Sequence, residues 1–148
     1  MIYDGDCSFC RAWVDYWRGL TRGRIDYAPS QEVGSQFPQI PPEEFRRSVQ
    51  LVLEDGTPLR GARAVFQSLA VAPDQAWMLW AYENVPGVAT LTEWGYRIVA
   101  DHRSAMYQIT KWTVGVPIRP WRVTPMAVGA ALLGVGGLVF LSVQSRLA

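Results

Sequence analysis

From Val123 to Val143 the chain reads VTPMAVGAALLGVGGLVFLSV, 21 residues without a charge. One helix of about 20 apolar residues crosses the hydrocarbon core of a bilayer. A helix of that length in a water-soluble fold shows a polar stripe, and this run has none. The run is therefore expected to cross a membrane, with a buried core helix as the alternative. Pro120 and Pro125 stand at its entrance, where a first helical turn tolerates proline. Trp121 stands where indole rings gather at the headgroups. Ala127 and Ala131, like Ala130 and Gly134, are small residues four apart; helix-pairing faces use that spacing, and such spans also show it generally. Arg103, Lys111, Arg119 and Arg122 precede the run and Arg146 alone follows it. The positive-inside rule then makes 123–143 a single-pass C-terminal anchor with residues 1–122 in the cytoplasm. Asp4 and Asp6, so close to Met1, do not fit a cleavable leader.

Residues 1–122 carry 13 acidic and 13 basic groups, a net charge of zero. No basic excess is available for a nucleic-acid backbone, so no nucleic-acid partner is expected. The chain is 49% hydrophobic and 18% charged, which excludes an extended disordered protein. Two cysteines exclude a disulfide-dense scaffold and a four-cysteine zinc site.

Residues 1–74 alternate short strands and helices. Met1–Tyr3 can only begin a strand. Phe9, Trp13, Tyr16, Trp17 and Leu20 recur at helical spacing over Ser8–Leu20, with Gly19 and Gly23 as the stop. Arg24–Ala28 reads as a strand, and Ala28–Glu44 as loop with a short helix. SVQLVL, Ser48–Leu53, is a strong strand. Glu54-Asp55-Gly56 turns it into a short strand at Thr57–Arg60. Gly61 opens a helix over Ala62–Val71. Residues 75–118 read as a helical extension: Gln75–Glu83, a break at Asn84-Val85-Pro86-Gly87, and a longer helix within Val88–Val116. The pattern there puts Leu91, Trp94, Tyr96, Ile98, Val99, Met106 and Ile109 on the buried side. Trp77, Trp80 and Tyr82 read as core, with an interfacial belt as the alternative.

The chemistry concentrates in YDGDCSFC, Tyr3 to Cys10. Cys7 and Cys10 form a C-x-x-C at the junction of the first strand and first helix. Free N–H groups and the helix dipole favour a thiolate there. Cys7 is placed to attack a disulfide, and Cys10, one turn on, to resolve the mixed disulfide. Arg11 favours the Cys7 thiolate while Asp4 and Asp6 oppose it, so the direction of its pKa shift stays open. Other uses of the pair stand beside this one. Zinc would need two further ligands, and His102 is the lone histidine. A Cu(I) carrier uses the same motif, although here the neighbours are hard aspartates. The pair can also be inert packing. Asp4 has two readings: it takes the proton of the resolving cysteine, or it bonds the loop and caps the helix. Asp6 reads as the loop-and-cap residue and His102 as a surface or capping residue. Arg103 reads as solvated surface by default, with an acidic partner or the headgroups as alternatives. No glycine-rich phosphate loop appears, and no cofactor or resident metal is expected.

Tyr3-Asp4-Gly5-Asp6-Cys7-Ser8-Phe9-Cys10 resembles the signature of the DCC family of thiol–disulfide oxidoreductases. The Asp55-Gly56 turn with Gly61-x-x-Ala64, and Tyr96-x-x-x-Ala100-x-x-Arg103, are similar to later stretches of that family. The resemblance covers roughly residues 1–110. It implies an α/β, thioredoxin-like three-layer core, to which the chain adds C-terminal helices and a terminal transmembrane helix. It also implies Cys7 and Cys10 as the redox pair and Asp4 as the motif acid. His102 and Ser104 stand where the family more often has Asn and an aromatic. Arg46-Arg47-Ser48 stands where thioredoxin-like proteins usually carry a cis-proline before the third strand, and Pro41 and Pro42 come too early. The expected function is a membrane-tethered thiol–disulfide oxidoreductase acting on a protein or small-molecule thiol or disulfide, with its lipid contact through 123–143. A soft-metal-binding or membrane-partner interaction module is the alternative.

Overall fold

A computed structural model describes residues 1–72, 74–113 and 115–118. The charge-free run 123–143, with its expected bilayer contact, lies outside the described residues. Among those described, no helix is long and apolar enough to cross a membrane.

Four short strands form one sheet: β1 (Ile2–Tyr3), β2 (Ala28–Pro29), β3 (Gln50–Val52) and β4 (Pro58–Arg60). Their order is β2-β1-β3-β4. β1 and β2 are parallel, pairing Ile2 with Ala28. β3 runs antiparallel to both β1 and β4, with Leu51 opposite Leu59. α1 (Ser8–Thr21) carries the chain from β1 to β2, and α4 (Gly61–Leu69) follows β4. This mixed α/β architecture is consistent with the thioredoxin-like expectation.

Strand side chains alternate between the two faces of a sheet, and the apolar clusters follow that period. Met1, Tyr3 and Leu51 pack with Val14 of α1 and Ala64 of α4. Ile2 instead joins Ile40 and Phe45, with Val52 against them. Val14 and Ala64 are fully buried. The buried Gln50 amide is satisfied by the Ser48 hydroxyl at 2.9 Å, as a buried polar group must be. Ala28–Glu44 contains more order than the loop reading allows: α2 (Ser30–Val33), a 3-10 turn at Gly34–Gln36, and the start of α3 (Pro42–Arg47). β2 is shorter and later than the expected Arg24–Ala28. The Arg22–Gly23 turn holds left-handed backbone, and Arg24 N–H bonds back to Thr21.

The C-terminal helices are α5 (Ala76–Asn84), α6 (Val88–Asp101) and α7 (Arg103–Thr113). α5 and α6 pack on α4, and α7 packs on α1. The single long helix expected over Val88–Val116 is two helices. His102 ends the first, its N–H bonded to the Ile98 and Val99 carbonyls and its Nδ1 2.9 Å from Ile98 O. The expected inward face holds in part: Tyr96 packs against the core and Val99 lines a cavity with it, but Leu91 is 64%, Trp94 58% and Ile109 51% exposed, and Ile98 is exposed too. Polar anchors decide the rotation of α6. Glu93 bonds the start of α4 and Tyr96 bonds Val49, so the Glu93–Tyr96 side turns inward and the Leu91–Trp94–Ile98 side turns out. On α5, Tyr82 reaches inward to Glu93 at 3.1 Å, while Trp80 is exposed.

Candidate active site

Cys7 is the N-cap of α1, and its own sulfur does the capping: Cys10 N–H donates to Cys7 Sγ at 3.2 Å. The capping half of the Asp4 and Asp6 reading is therefore corrected, and its loop-bonding half stands: both carboxylates tie their own loop to Gln31 of α2. Gln31 Nε2 donates to Asp4 Oδ1 and to Asp6 Oδ2, each at 3.1 Å. Asp6 N–H also donates to Asp4 Oδ1. Gly5 N–H completes the clamp on Gln31 Oε1 at 3.0 Å. A Cβ at Gly5 would stand 2.7 Å from Pro29 Cβ, so the loop closes only over glycine. Gln31 was hidden in a stretch read as loop. No local pattern marks a side chain that bonds across 25 residues or more.

The two cysteines are free, half-buried thiols. The Cys10 thiol donates to Cys7 Sγ across 2.6 Å. That hydrogen bond is the largest influence on both groups. It pulls Cys7 down to about 6 from an ordinary 9.0, against the opposing effect of burial. The Cys10 N–H and the charge of Arg103 also favour the Cys7 thiolate, and Asp4 opposes it. The same hydrogen bond, with burial and the neighbouring thiolate charge, pushes Cys10 far above the ordinary thiol range. The direction left open by the sequence is thus set by the partner cysteine.

The cation at this site is Arg103, not Arg11. Arg11 is exposed and reaches Ser8 Oγ at 3.4 Å. Arg103, expected at the solvated surface, has a side chain only 18% exposed and stands 3.9 Å from Asp4 Oδ2. It also donates to the Arg47 carbonyl. Two residues further, Val49 N–H donates to the Tyr96 hydroxyl at 3.0 Å. Main-chain groups on either side of Ser48 are thus held by side chains from α6 and α7. This is the stretch where the expected cis-proline is missing. Burial raises the Tyr96 phenol to about 12, so it stays protonated while it accepts this bond.

Asp4, Cys10, Trp13, Ser48, Tyr96 and Arg103 line a cavity of about 40 Å³, room for a few waters at most. Phe9, Trp13 and Trp17 stack along α1 beside it, with ring centroids 6.0 Å and 6.3 Å apart. Among the described residues no three His, Cys, Asp or Glu side chains converge as a metal site would require.

Removing the Cys10 donor should raise the pH at which Cys7 ionises. In a Cys10→Ala variant the midpoint for Cys7 alkylation is expected to climb from about 6 to roughly 8. Cys10→Ser, which keeps a hydroxyl donor, should move it less. Arg103→Met should move it in the same direction and least of all. Iodoacetamide rates against pH read all three, and an unchanged midpoint in Cys10→Ala would show that the thiol–thiolate bond does not control Cys7.

The family model described as DCC1-like thiol-disulfide oxidoreductase matches residues 1–109, a span that takes in Cys7, Cys10, Asp4, Tyr96 and Arg103. No curated protein and no solved structure matches the chain.

Proposed function

Because the chain belongs to the DCC1-like thiol-disulfide oxidoreductase family, we propose that it reduces substrate disulfides through Cys7 and Cys10 on a thioredoxin-like core. The observation that carries this reading is the Cys10 thiol donating to a Cys7 sulfur at the first turn of α1, with Cys7 held near 6. Cys7 is then a thiolate at neutral pH, and the thiolate is the nucleophile in exchange.

Cys7 Sγ⁻ attacks one sulfur of the substrate disulfide. A Cys7–substrate bond forms, the substrate S–S bond breaks, and the first substrate sulfur leaves as a thiolate that takes a proton from solvent. The Cys7 negative charge is now gone, and with it the hydrogen-bond and charge effects that held Cys10 protonated. Cys10 loses its proton and attacks Cys7 Sγ. The second substrate sulfur leaves, and Cys7–Cys10 closes as a disulfide. Two electrons pass from the protein dithiol to the substrate, and an external thiol must restore them. Asp4 shares the cavity with Cys10, and we assign it the proton released there. Its Gln31 and Arg103 contacts hold the carboxylate in place for that transfer.

Trapping tests this reading. A Cys10→Ser variant is expected to accumulate a mixed disulfide between Cys7 and its substrate, visible as a reductant-sensitive mass increase. A variant that forms no adduct with an excess of a small disulfide, while its Cys7 still alkylates, would overturn the proposal and favour a binding module built on the same pair.

A further inference from the structure

The cavity beside Cys10 is too small to take in a substrate, so the body of any protein that carries the disulfide must lie outside it. A second concavity of about 690 Å³ adjoins it, sharing Ser48, Tyr96 and Ala100 as a common wall. That volume falls within the usual range for ligand sites, about 300–1,000 Å³. Arg103 links the two physically: it pairs with Asp4 on the cysteine side and donates to the carbonyl of Arg47, whose side chain borders the groove.

The groove has an uneven charge. Four guanidinium groups line it: Arg47, Arg60, Arg63 and Arg97. Its acids are Glu44, Glu93 and Asp101. Glu44 is divided between Arg47 and Arg60, at 3.4 Å from each. Glu93 is committed to the start of α4, accepting from Ala62 and Arg63 N–H and from the Tyr82 hydroxyl. Among the described residues, Arg63 has no ion pair, and Arg97 makes only a 3.4 Å bond to the Glu93 main-chain carbonyl on its own helix. Asp101 lines the same groove, yet among the described residues neither Arg63 nor Arg97 has a carboxylate within ion-pair distance. Arginine presents a planar fork of donors suited to carboxylates.

We infer that this groove docks an acidic stretch of the protein whose disulfide Cys7 attacks, with Arg63 and Arg97 as the groups that recognise it. The inference rests on the exchange reading for its purpose but not for its test. The full chain would be assayed on synthetic peptide disulfides that differ only in a flanking run of glutamates or of lysines. Their cysteine-to-serine counterparts, which cannot react, would be assayed for binding by fluorescence anisotropy.

The glutamate peptide is expected to show a kcat/KM roughly 10-fold above the lysine peptide at low ionic strength. The ratio should shrink toward one in about 0.5 M salt, since exposed charges are screened there. In Arg63→Gln/Arg97→Gln protein the same ratio should fall to about 2 or less, and binding of the unreactive glutamate peptide should weaken in step. A ratio that survives the double substitution, or lysine and glutamate peptides that bind alike, would overturn the docking site. If no peptide is reduced but the unreactive glutamate peptide still binds through the two arginines, the exchange reading fails and the docking site stands.

Discussion

Replacing Cys7 with serine is expected to slow disulfide reduction at neutral pH by about 1,000-fold or more, since loss of a nucleophile removes the covalent route outright. With Cys7 pulled down to about 6, the thiolate is the major form at neutral pH. A serine hydroxyl at the same helix end is not ionised. Cys10 is a poor substitute, because its thiol is the more buried of the pair and lines a cavity with room for little more than water. Once Cys7 is gone, Cys10 also loses the thiolate that held its proton. Its pKa should then fall back toward the ordinary range, which leaves burial as the main barrier. A slow residual activity that rises with pH would be the mark of Cys10 acting alone. The rate to measure is reduction of a small dithiol-reducible dye, with the folded state confirmed by circular dichroism. A Cys7→Ser protein that keeps more than about a tenth of the wild-type rate would sink the assignment of Cys7 as the attacking sulfur.

The motif that carries this chemistry was legible because its information is local. Cys7-Ser8-Phe9-Cys10 places both sulfurs within one turn, and the flanking apolar spacing marks α1. The element order through Leu69 was legible for the same reason, as strand and helix periods do not depend on distant partners. The parts that were not legible share a cause. Gln31, Glu93, Tyr96 and Arg103 act across 25 or more residues of chain. Spacing within one segment says nothing about them. Arg103 reads as surface by default, and an acidic partner is only an alternative, because its own segment cannot name that partner. It is drawn inward by two acceptors, Asp4 and the Arg47 carbonyl, neither of which its own segment contains. The same cause narrows the inward face of α6. Its pattern predicts Leu91, Trp94, Tyr96, Ile98 and Val99 inside; Tyr96 and Val99 are, while the bonds of Glu93 and Tyr96 leave Leu91, Trp94 and Ile98 exposed. Where apolar pattern and buried polar bonds disagree, an unmet polar group is the costlier error, and the helix rotates to avoid it. The family-like stretch Tyr96-x-x-x-Ala100-x-x-Arg103 held the signal, since those three residues line the cysteine cavity together.

Gly61 gives the second large effect, and it is one of stability. Its φ of +66° is left-handed backbone, which costs a residue with a Cβ about 1–2 kcal/mol. A Cβ there would also stand 2.6 Å from Glu93 Oε2. Glu93 is a flexible side chain in principle, but here its carboxylate supplies the cap that α4 lacks: the side chain of Arg60, at the N-cap, makes no capping bond. Pushing the carboxylate aside would free the Ala62 and Arg63 N–H groups, and loss of a helix cap costs about 1 kcal/mol. Gly61→Ala is therefore expected to destabilise the fold by about 2–3 kcal/mol, a fall in Tm of roughly 6–12 °C. A double-mutant cycle separates the two causes. Glu93→Ala alone should cost about 1 kcal/mol. Combined with Gly61→Ala it should cost less than the two singles together, because the clash disappears with the carboxylate, while the backbone strain remains. Strict additivity would mean that strain alone explains Gly61. A Gly61→Ala protein within about 0.5 kcal/mol of wild type would remove both explanations. The effect should reach the cysteines only through folding. Glu93 and Tyr96 lie on one side of α6, but the hydrogen bond that sets Cys7 belongs to α1. The folded fraction of Gly61→Ala should therefore still alkylate with a midpoint near 6, and a displaced midpoint would show that α6 and the thiolate are coupled more closely than their separate contacts imply.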